Sequence, residues 1–234
     1  MKQWVLPPGT SAEFVAAMER VLALYAEPYD PARPVVCFDE RPCVLHADVR
    51  KPLPVRPGRE ARRDHEYVRE GSCCVLMAFE PLRPTESGPT GNGRGWRRAW
   101  TRPQRRRIDF AACVRELCEE VYPEAETVRL VCDNLNTHSA ASFYEAFAPA
   151  EARRLAERVE FVYTPVHGSW LNVVEIEFSV LARQCLRRRI GTLAEMAAEV
   201  LAWIELRNAE GTTVGWQFTT ENARVTLSRL YPTG

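Results

Sequence analysis

Two short and almost wholly apolar runs each end in acid, and they restrict the fold more than any other feature of the sequence. The first covers residues 34–40 and ends in Asp39 and Glu40, and the second covers residues 128–133 and ends in Asp133. Runs of this length with few polar positions are typical of strands buried on both faces of a sheet. The sequence therefore predicts two central strands with carboxylates at their ends.

Other segments predict the remaining elements. Residues 72–79 indicate another buried strand, residues 96–100 a strand that closes a hairpin with it, and residues 161–163 a fifth strand. Residues 52–63 and 84–95 are rich in loop-forming residues, and we expect a flexible surface loop at 84–95. Apolar residues at helical spacing predict helices within 11–25, 108–121, 139–147, 149–158, 172–188 and 193–204.

Three strands come first along the chain, and helices then alternate with strands. Hairpin-linked strands followed by β-α-β units predict an α/β fold, with a mixed five-stranded sheet and helices on both faces. This element order is that of the ribonuclease-H-like fold. At 234 residues the chain is long enough for one sizeable core, and no internal repeat is present.

The acids that end the two apolar runs are candidates for metal binding. Ligands bind beyond the carboxyl ends of parallel strands, and neighbouring strands lie about 4.8 Å apart. Asp39 and Asp133 could therefore share a metal ion if their strands are neighbours. An acid after a strand is also a common turn former or helix cap, so one such acid alone would indicate little.

A third acid would have to come from a helix beside these strands, and Glu175 and Glu177 are the candidates. Successive helical residues turn by about 100°, so these two side chains point about 200° apart and only one can face the site. Val174 and Phe178 flank Glu175 and indicate that it lies where the helix meets the core. A buried acid there would need a partner, and a metal ion would serve.

Composition limits the setting in which the protein works. Apolar residues make up 46% of the chain, as in a globular domain, and no run is long enough to span a bilayer. The eight cysteines show no metal-binding spacing and several lie in apolar runs, so we interpret them as core thiols of a reducing compartment. We expect a soluble, cytoplasmic protein without a signal segment.

Arginine is distributed unevenly, although the formal net charge is zero. Only Lys2 and Lys51 are lysines, while arginines cluster between Arg94 and Arg107 and again at 187–189. Guanidinium groups suit phosphate oxygens, so these clusters could bind DNA; a solvated face rich in salt bridges is an equally good interpretation. The candidate DNA contacts are Arg97, Arg98, Arg105, Arg106, Arg187 and Arg188.

Three segments together resemble a known family of enzymes. They are residues 37–40, residues 132–138 with the string DNLNTH, and residues 163–175 with the string HGSWLN. They are similar to the DDE core of bacterial transposases, and most of all to the insertion sequence 630 family of the mariner superfamily. The resemblance covers nearly the whole chain, and the two longer strings are specific.

The resemblance implies the site and its chemistry. Asp39, Asp133 and Glu175 would be both the catalytic residues and the metal ligands, since Glu175 completes the family's Asn-x-x-Glu with Asn172. Two Mg²⁺ ions, replaceable by Mn²⁺, would serve strand cleavage and strand transfer on double-stranded DNA at transposon ends. His167 would shape its loop or contact DNA, and His138 would contact phosphate or, as we slightly prefer, cap a helix.

The resemblance also implies an organisation and partners. Residues 1–34 would form a linker helix and residues 35–234 the catalytic domain, with 84–95 as an insert. The family's N-terminal helix-turn-helix modules are absent, so a separate helix-turn-helix chain could supply them, and a homodimer at the bacterial nucleoid is expected, with no membrane partner. Two alternatives stay open: a truncated or domesticated remnant that binds DNA or a partner without catalysis, and a ribonuclease-H or resolvase-type nuclease.

Overall fold

Five strands and seven α-helices lie in the parts of the chain that the computed structural model describes, residues 6–85 and 93–232. The strands are β1 Val35–Asp48, β2 Tyr67–Thr85, β3 Gly93–Arg102, β4 Val128–Cys132 and β5 Val159–Tyr163. The helices are α1 Ala12–Ala26, α2 Arg107–Glu116, α3 Ala141–Ala146, α4 Pro149–Arg158, α5 Val174–Gln184, α6 Leu193–Ala209 and α7 Thr220–Thr226.

The strands form one mixed sheet in the order β3-β2-β1-β4-β5. β1 pairs antiparallel with β2, and β2 pairs antiparallel with β3. β1 pairs parallel with β4, and β4 pairs parallel with β5. The expected mixed five-stranded sheet is confirmed, and the two strands that carry Asp39 and Asp133 are neighbours.

Both faces of the sheet are covered by helices, which explains why its central strands are apolar at nearly every position. In β1, Val35 and Cys37 belong to a core formed with α1, α5, α6 and α7. Val36 and Phe38 belong to a second core formed with α2, α3 and α4. Successive strand residues point to opposite faces, so the alternation divides β1 between two cores.

The N-terminal helix α1 is part of the fold, although the sequence suggests a linker. Phe14, Met18 and Val21 lie in the same core as the residues of α5 and α6. The helix starts at Ser11, whose hydroxyl accepts a hydrogen bond from the Phe14 amide at 3.2 Å. The Ser11 amide donates to the Leu230 carbonyl at 3.0 Å, so both ends of the described chain meet here.

β1 and β2 are longer than their apolar runs predict. β1 continues past Asp39 to Asp48 and pairs with β2 as far as Tyr67. This extension carries polar residues because its outer part has water on one side, so it lacks a continuous apolar run. Asp39 therefore lies within a strand and not at the strand end that the sequence predicts, although the parallel partner β4 does stop at Cys132.

The segment 84–95 also differs from the loop that its composition predicts. Pro84 pairs with Arg94 and Thr85 with Gly93, so the β2–β3 hairpin extends into both ends of it. Residues 86–92 lie outside the described residues, and the expected insert falls largely on them.

One helix is absent from the sequence-based prediction. α7 begins at Thr219, whose hydroxyl accepts from the Asn222 amide while the Asn222 side chain accepts from the Thr219 amide. This reciprocal arrangement is a capping box, and its Thr-x-x-Asn spacing is visible in the sequence. Only Ala223 of α7 is buried, so the helix lacks the apolar periodicity that identified the others.

A buried group of charges connects the edge strand β3 to α5 and α6. The Arg97 guanidinium donates two hydrogen bonds to Glu177, from Nε to Oε2 and from Nη2 to Oε1, each at 2.7 Å. Arg207 on α6 adds a donor at 3.0 Å, and the side chains of Arg97 and Glu177 are both 0% exposed. The Asn208 side chain also bonds the backbone of Arg97 in both directions.

This burial corrects one prediction. Arg97 cannot contact DNA, because its guanidinium is enclosed under Phe79 and is committed to Glu177 and the Thr212 carbonyl. The sequence-based interpretation treated the arginine cluster as one surface. Successive residues of a strand point to opposite faces, so Arg97 can be buried while Arg98 is exposed.

All eight cysteines are free thiols; seven are buried and Cys43 is half-buried. Within the described ranges, no helix is both long and apolar enough to cross a membrane.

We predict that Glu177→Gln lowers the free energy of unfolding by about 3–5 kcal/mol, because it leaves two guanidinium groups without their shared countercharge. Urea denaturation followed by circular dichroism would measure the change. Glu205→Gln, on the exposed side of α6, is the matched control and should change stability by less than about 0.5 kcal/mol. Equal effects of the two substitutions would contradict a stabilising role for this ion pair.

Candidate active site

The pairing of β1 with β4 brings Asp39 and Asp133 to the same edge of the sheet. The last paired residues are Cys37 and Val131, and each aspartate follows its paired residue by two positions. Beyond this point β4 ends, and the two carboxylates differ in their exposure. Asp39 is 9% exposed, while the side chain of Asp133 is 40% exposed.

Asp39 lies in an environment that disfavours a negative charge. Burial is the largest of the causes that raise the pKa of its carboxyl to about 8; the carboxylates of Glu175, Glu40 and Asp133 also raise it, and a hydrogen bond from the Glu40 amide at 2.7 Å lowers it. Acids that influence one another in this way lie close together. The described structure thus gathers the three predicted acids in one region, with Glu40 as a fourth.

Asp133 is held by a histidine that bridges two acids. His138 Nδ1 donates to Asp133 Oδ1 at 2.7 Å, and His138 Nε2 lies 2.9 Å from Glu40 Oε2, as an ion pair that lacks hydrogen-bond geometry. His138 and the Glu40 side chain are 1% and 3% exposed. The remaining neighbour of Glu40 is Arg105, at 3.3 Å.

The charge state of His138 follows from this position. Burial alone would lower its pKa, but the hydrogen bond to Asp133 and the Glu40 carboxylate together raise the pKa to about 9. The same hydrogen bond is the main reason that the pKa of Asp133 is lowered. At neutral pH, an imidazolium between two carboxylates therefore keeps Asp133 ionised and oriented.

The sequence-based interpretation of His138 as a helix cap is wrong, because both ring nitrogens face acids and α3 begins with an uncapped Ala140. The signal was available, since His138 follows Asp133 by five residues in the DNLNTH string. The contact between His138 and Glu40 could not be predicted, because it depends on which face of β1 packs against the loop that carries His138.

α5 is attached to the strand that carries Asp39. The Asn172 side chain donates to the Phe38 carbonyl at 2.9 Å and accepts from the Val174 amide at 3.4 Å. Asn172 is buried, so this link between the start of α5 and the residue before Asp39 is shielded from water. It gives a physical reason for an asparagine three residues before Glu175.

A tight turn leads into this helix. The Gly168 amide donates to the Pro165 carbonyl at 2.7 Å, and a Cβ on Gly168 would lie 2.5 Å from Pro165 Cγ. The turn places His167 at a φ of 66°, a left-handed conformation that is uncommon for residues other than glycine. The glycine of the HGSWLN string is thus required by the close approach of Pro165, and His167 is exposed.

The two glutamates of α5 have opposite environments. Glu177 is buried and paired with Arg97 and Arg207, whereas Glu175 is exposed and raises the pKa of Asp39. The argument that a buried acid beside Val174 needs a metal is therefore wrong in its premise, because the buried acid is Glu177 and its partners are arginines. With Glu177 occupied, Glu175 is the acid of this helix that is free to act at the sheet edge.

The donor set suits a hard divalent cation, because Asp39, Asp133 and Glu175 supply only carboxylate oxygens. The pKa of Asp39 is raised first by burial and then by the neighbouring carboxylates, and a bound cation would oppose both effects by stabilising the ionised form. Across residues 6–85 and 93–232, no group of three His, Cys, Asp or Glu side chains is close enough to hold a metal ion. The carboxylates are therefore gathered but do not converge on one point.

The other predicted DNA contacts are spread over several surfaces. Arg105 is half-exposed beside Glu40, and its charge contributes to lowering the pKa of Asp133. Arg98 and Arg106 are exposed and pair with Glu116 and Asp109. Arg187 and Arg188 are exposed after α5, and Arg188 pairs with Glu199.

The sheet order and the acids at its edge define a class of protein, the nucleic-acid enzymes with a ribonuclease-H-like fold. The family model for the DDE superfamily endonuclease matches residues 34–197. The chain therefore belongs to the DDE superfamily endonucleases, which confirms the resemblance found in the sequence motifs. No curated protein matches the sequence.

Solved structures of the Mos1 transposase share the fold. A Mos1 mariner paired-end complex with Mn has a TM-score of 0.55 at 15% identity, covering 90% of this chain and 60% of that one. A Mos1 paired-end complex with the left transposon end has a TM-score of 0.58 at 15% identity, covering 99% and 66%. A Mos1 strand transfer complex has 0.58 at 14% identity, covering 100% and 67%. This chain thus spans 60% of the length of the first of these relatives.

We predict that the free energy of unfolding of the metal-free protein falls as pH rises from about 6 to 9. Asp39 has an ordinary pKa of 3.8 and a folded pKa of about 8, and that of His138 rises from 6.5 to about 9. Each group binds its proton more tightly when folded, so its stabilisation is lost as pH rises through the folded value.

Urea denaturation in EDTA at several pH values would measure this slope, and Asp39→Asn should make it shallower. A stability that stays constant or rises over the same range would contradict the raised pKa values.

Proposed function

We propose that the chain is the catalytic domain of a DNA transposase, which cleaves DNA strands at transposon ends and transfers them to a target. The observation that carries the proposal is the parallel register of β1 and β4, which sets Asp39 beside Asp133, with Asn172 anchoring the helix of Glu175 to the same strand. Membership of the DDE superfamily endonucleases and the fold likeness to Mos1 support it. The strings DNLNTH and HGSWLN favour the insertion sequence 630 family.

Asp39, Asp133 and Glu175 would hold the metal, with Mg²⁺ as the physiological ion, Mn²⁺ as a substitute, and two ions per site. Bound ions would activate a water or 3′-hydroxyl and stabilise the leaving oxygen of a phosphodiester. The Mos1 relatives include complexes with Mn and with Mg, which supports this choice.

The chain's own residues prepare the site in three ways. His138 keeps Asp133 ionised and directs one of its oxygens, so the other is available. Because Asp39 retains a proton to about pH 8 when no cation is present, binding of a cation should release that proton. Asn172 keeps the start of α5 against β1, so that Glu175 stays at the edge where the two aspartates lie.

Several further assignments belong to the same proposal. Residues 35–234 would be the catalytic domain, and residues 1–34 would lead into it through α1, which packs against its core. Arg98, Arg105, Arg106, His167, Arg187 and Arg188 would contact double-stranded DNA, and Arg105 has the best support because it stands nearest the acids. A homodimer on paired ends at the bacterial nucleoid, with end recognition by a helix-turn-helix module, would complete the reaction.

We predict that Asp133→Asn and Glu175→Gln each reduce cleavage of a labelled DNA duplex in Mg²⁺ or Mn²⁺ by more than about 100-fold. Removal of residues that only orient metal ligands already costs about 10–100-fold, so removal of a ligand should cost at least as much. Thermal unfolding of Glu175→Gln should change little, since this side chain is exposed.

Glu157→Gln, an exposed glutamate on α4, is the matched control and should cleave like the parent. Equal cleavage by Asp133→Asn and the parent would refute the metal assignment. Absence of cleavage by the parent itself on any duplex would favour a remnant that binds DNA without catalysis, and cleavage of RNA–DNA hybrids in preference to DNA would favour a ribonuclease-H-type nuclease.

We predict that His138→Asn raises the Mg²⁺ concentration needed for half-maximal cleavage by about 10–100-fold, because Asp133 loses its orienting partner. Titration of cleavage rate against Mg²⁺, with unfolding measured in parallel, separates this effect from a decrease in stability. An unchanged Mg²⁺ dependence with a lower melting temperature would mean that the histidine only stabilises the fold.

A further inference from the structure

A hairpin between β1 and β2 stands apart from both cores. We call residues 49–63 the basic arm; every one of them is exposed. Leu53 and Arg62 exchange backbone hydrogen bonds at 2.8 and 3.1 Å, as do Arg56 and Arg59, and Gly58 turns the chain at a φ of 72°. The arm therefore has backbone order without any buried surface of its own.

The arm concentrates positive charge in a protein whose net charge is zero. It contains six cations and one acid, Glu60; the cations are Arg50, Lys51, Arg56, Arg59, Arg62 and Arg63. At its base, Arg50 lies 3.6 Å from Asp64 and Arg63 lies 3.5 Å from Asp48. The other four have no ion pair with any side chain in the described ranges.

The fold itself gains no stability from this arrangement. Like charges on a two-stranded hairpin repel one another, and the arm buries no apolar residue to offset that cost. A polyanion would reverse the sign of the interaction, and guanidinium groups match the geometry of phosphate oxygens. The charge pattern therefore favours a nucleic-acid backbone over a protein surface, despite the exposed Val49, Leu53 and Val55.

The arm leaves the sheet from the edge that holds the acids. β1 passes Asp39 and continues in the same direction to Asp48, directly before the arm. At about 3.3 Å per residue, the base of the arm lies roughly 30 Å beyond Asp39, close to one turn of B-form DNA. A duplex positioned with a phosphodiester bond at Asp39 can thus extend toward the arm.

The base of the arm is fixed to the chain that follows α5. The Arg189 guanidinium donates to Asp48 Oδ1 at 2.8 Å and to the Glu66 and His65 carbonyls at 2.7 Å, and it lies over the Tyr67 ring. The His46 amide donates to the Ile190 carbonyl at 2.8 Å. The base of the arm is therefore bonded to residues 189 and 190, which follow the helix that carries Glu175.

We propose that the basic arm binds the phosphate backbone of double-stranded DNA about one helical turn from the bond in the active site. The inference rests on the proposed function for the location of the DNA. The residues that bind the phosphates are Lys51, Arg56, Arg59 and Arg62.

The test compares two fourfold variants that remove the same charge. The arm variant is Lys51→Gln, Arg56→Gln, Arg59→Gln and Arg62→Gln. The control variant is Arg20→Gln, Arg33→Gln, Arg153→Gln and Arg154→Gln, whose side chains are at least 50% exposed and lie outside the arm. Binding to a fluorescein-labelled duplex of about 30 base pairs, roughly three turns of B-form DNA, is measured by anisotropy in EDTA over a range of KCl concentrations.

The arm variant should bind at least about tenfold more weakly than the parent near 0.1 M KCl, and the control variant should not. The slope of log K against log[KCl] should become shallower by up to about 3.6, because each phosphate that the protein neutralises contributes about 0.9 to that slope. Melting temperatures of the parent and the arm variant should agree, because none of the four side chains is buried. A single charge reversal, such as Arg59→Glu, provides a second variant.

Equal affinity and salt slope for the arm variant and the parent would overturn the proposal, as would absence of DNA binding by the parent. Unchanged DNA binding with weaker self-association in sedimentation would also overturn it and would assign the arm to a second copy of the chain. Cleavage is assayed separately, so a parent that binds DNA through the arm but does not cut it refutes the proposed function and the distance to a cleaved bond, while DNA binding by the arm is retained.

Discussion

The parallel pairing of β1 with β4 is the constraint on which the site depends. Hydrogen-bonded strands lie about 4.8 Å apart, so a register that matches Cys37 with Val131 leaves the two aspartates little freedom in their separation. The third acid takes its position from the same strand, through the hydrogen bond between Asn172 and the Phe38 carbonyl. The histidine that orients Asp133 also forms an ion pair with a residue of β1, Glu40. β1 thus positions every acidic residue of the site, either directly or through one contact.

Much of this could be predicted from the sequence, because burial on both faces leaves a clear pattern. Strands covered on two sides are apolar at successive positions, and in this chain each such run stops where an acid follows. The order of strands and helices then restricts the topology, and motif resemblance distinguishes Glu175 from Glu177. These signals can be recognised from sequence because they lie within short segments of the chain or match the motifs of a known family.

Features that depend on distant partners could not be predicted in this way. Glu177 and Arg97 are 80 residues apart, and only the packing of β3 against α5 makes them an ion pair. The same packing buries Arg97, although Arg98, Arg105 and Arg106 of the same cluster are exposed. The outer half of β1 lacks an apolar run because water covers part of it, so its length, and with it the direction of the arm, appears only in the folded sheet.

The buried pair between Arg97 and Glu177 has a consequence for how the site can move. Glu175 and Glu177 lie on nearly opposite sides of α5, and Glu177 is gripped by guanidinium groups from β3 and α6. Rotation of the helix about its axis would separate the buried Glu177 carboxylate from both guanidinium groups, which is costly. Rotation about the torsion angles of the Glu175 side chain is then the motion of lowest cost. Adjustment of this acid to a substrate should therefore be a fast rotamer change on a stationary helix, without a slow rearrangement of the core.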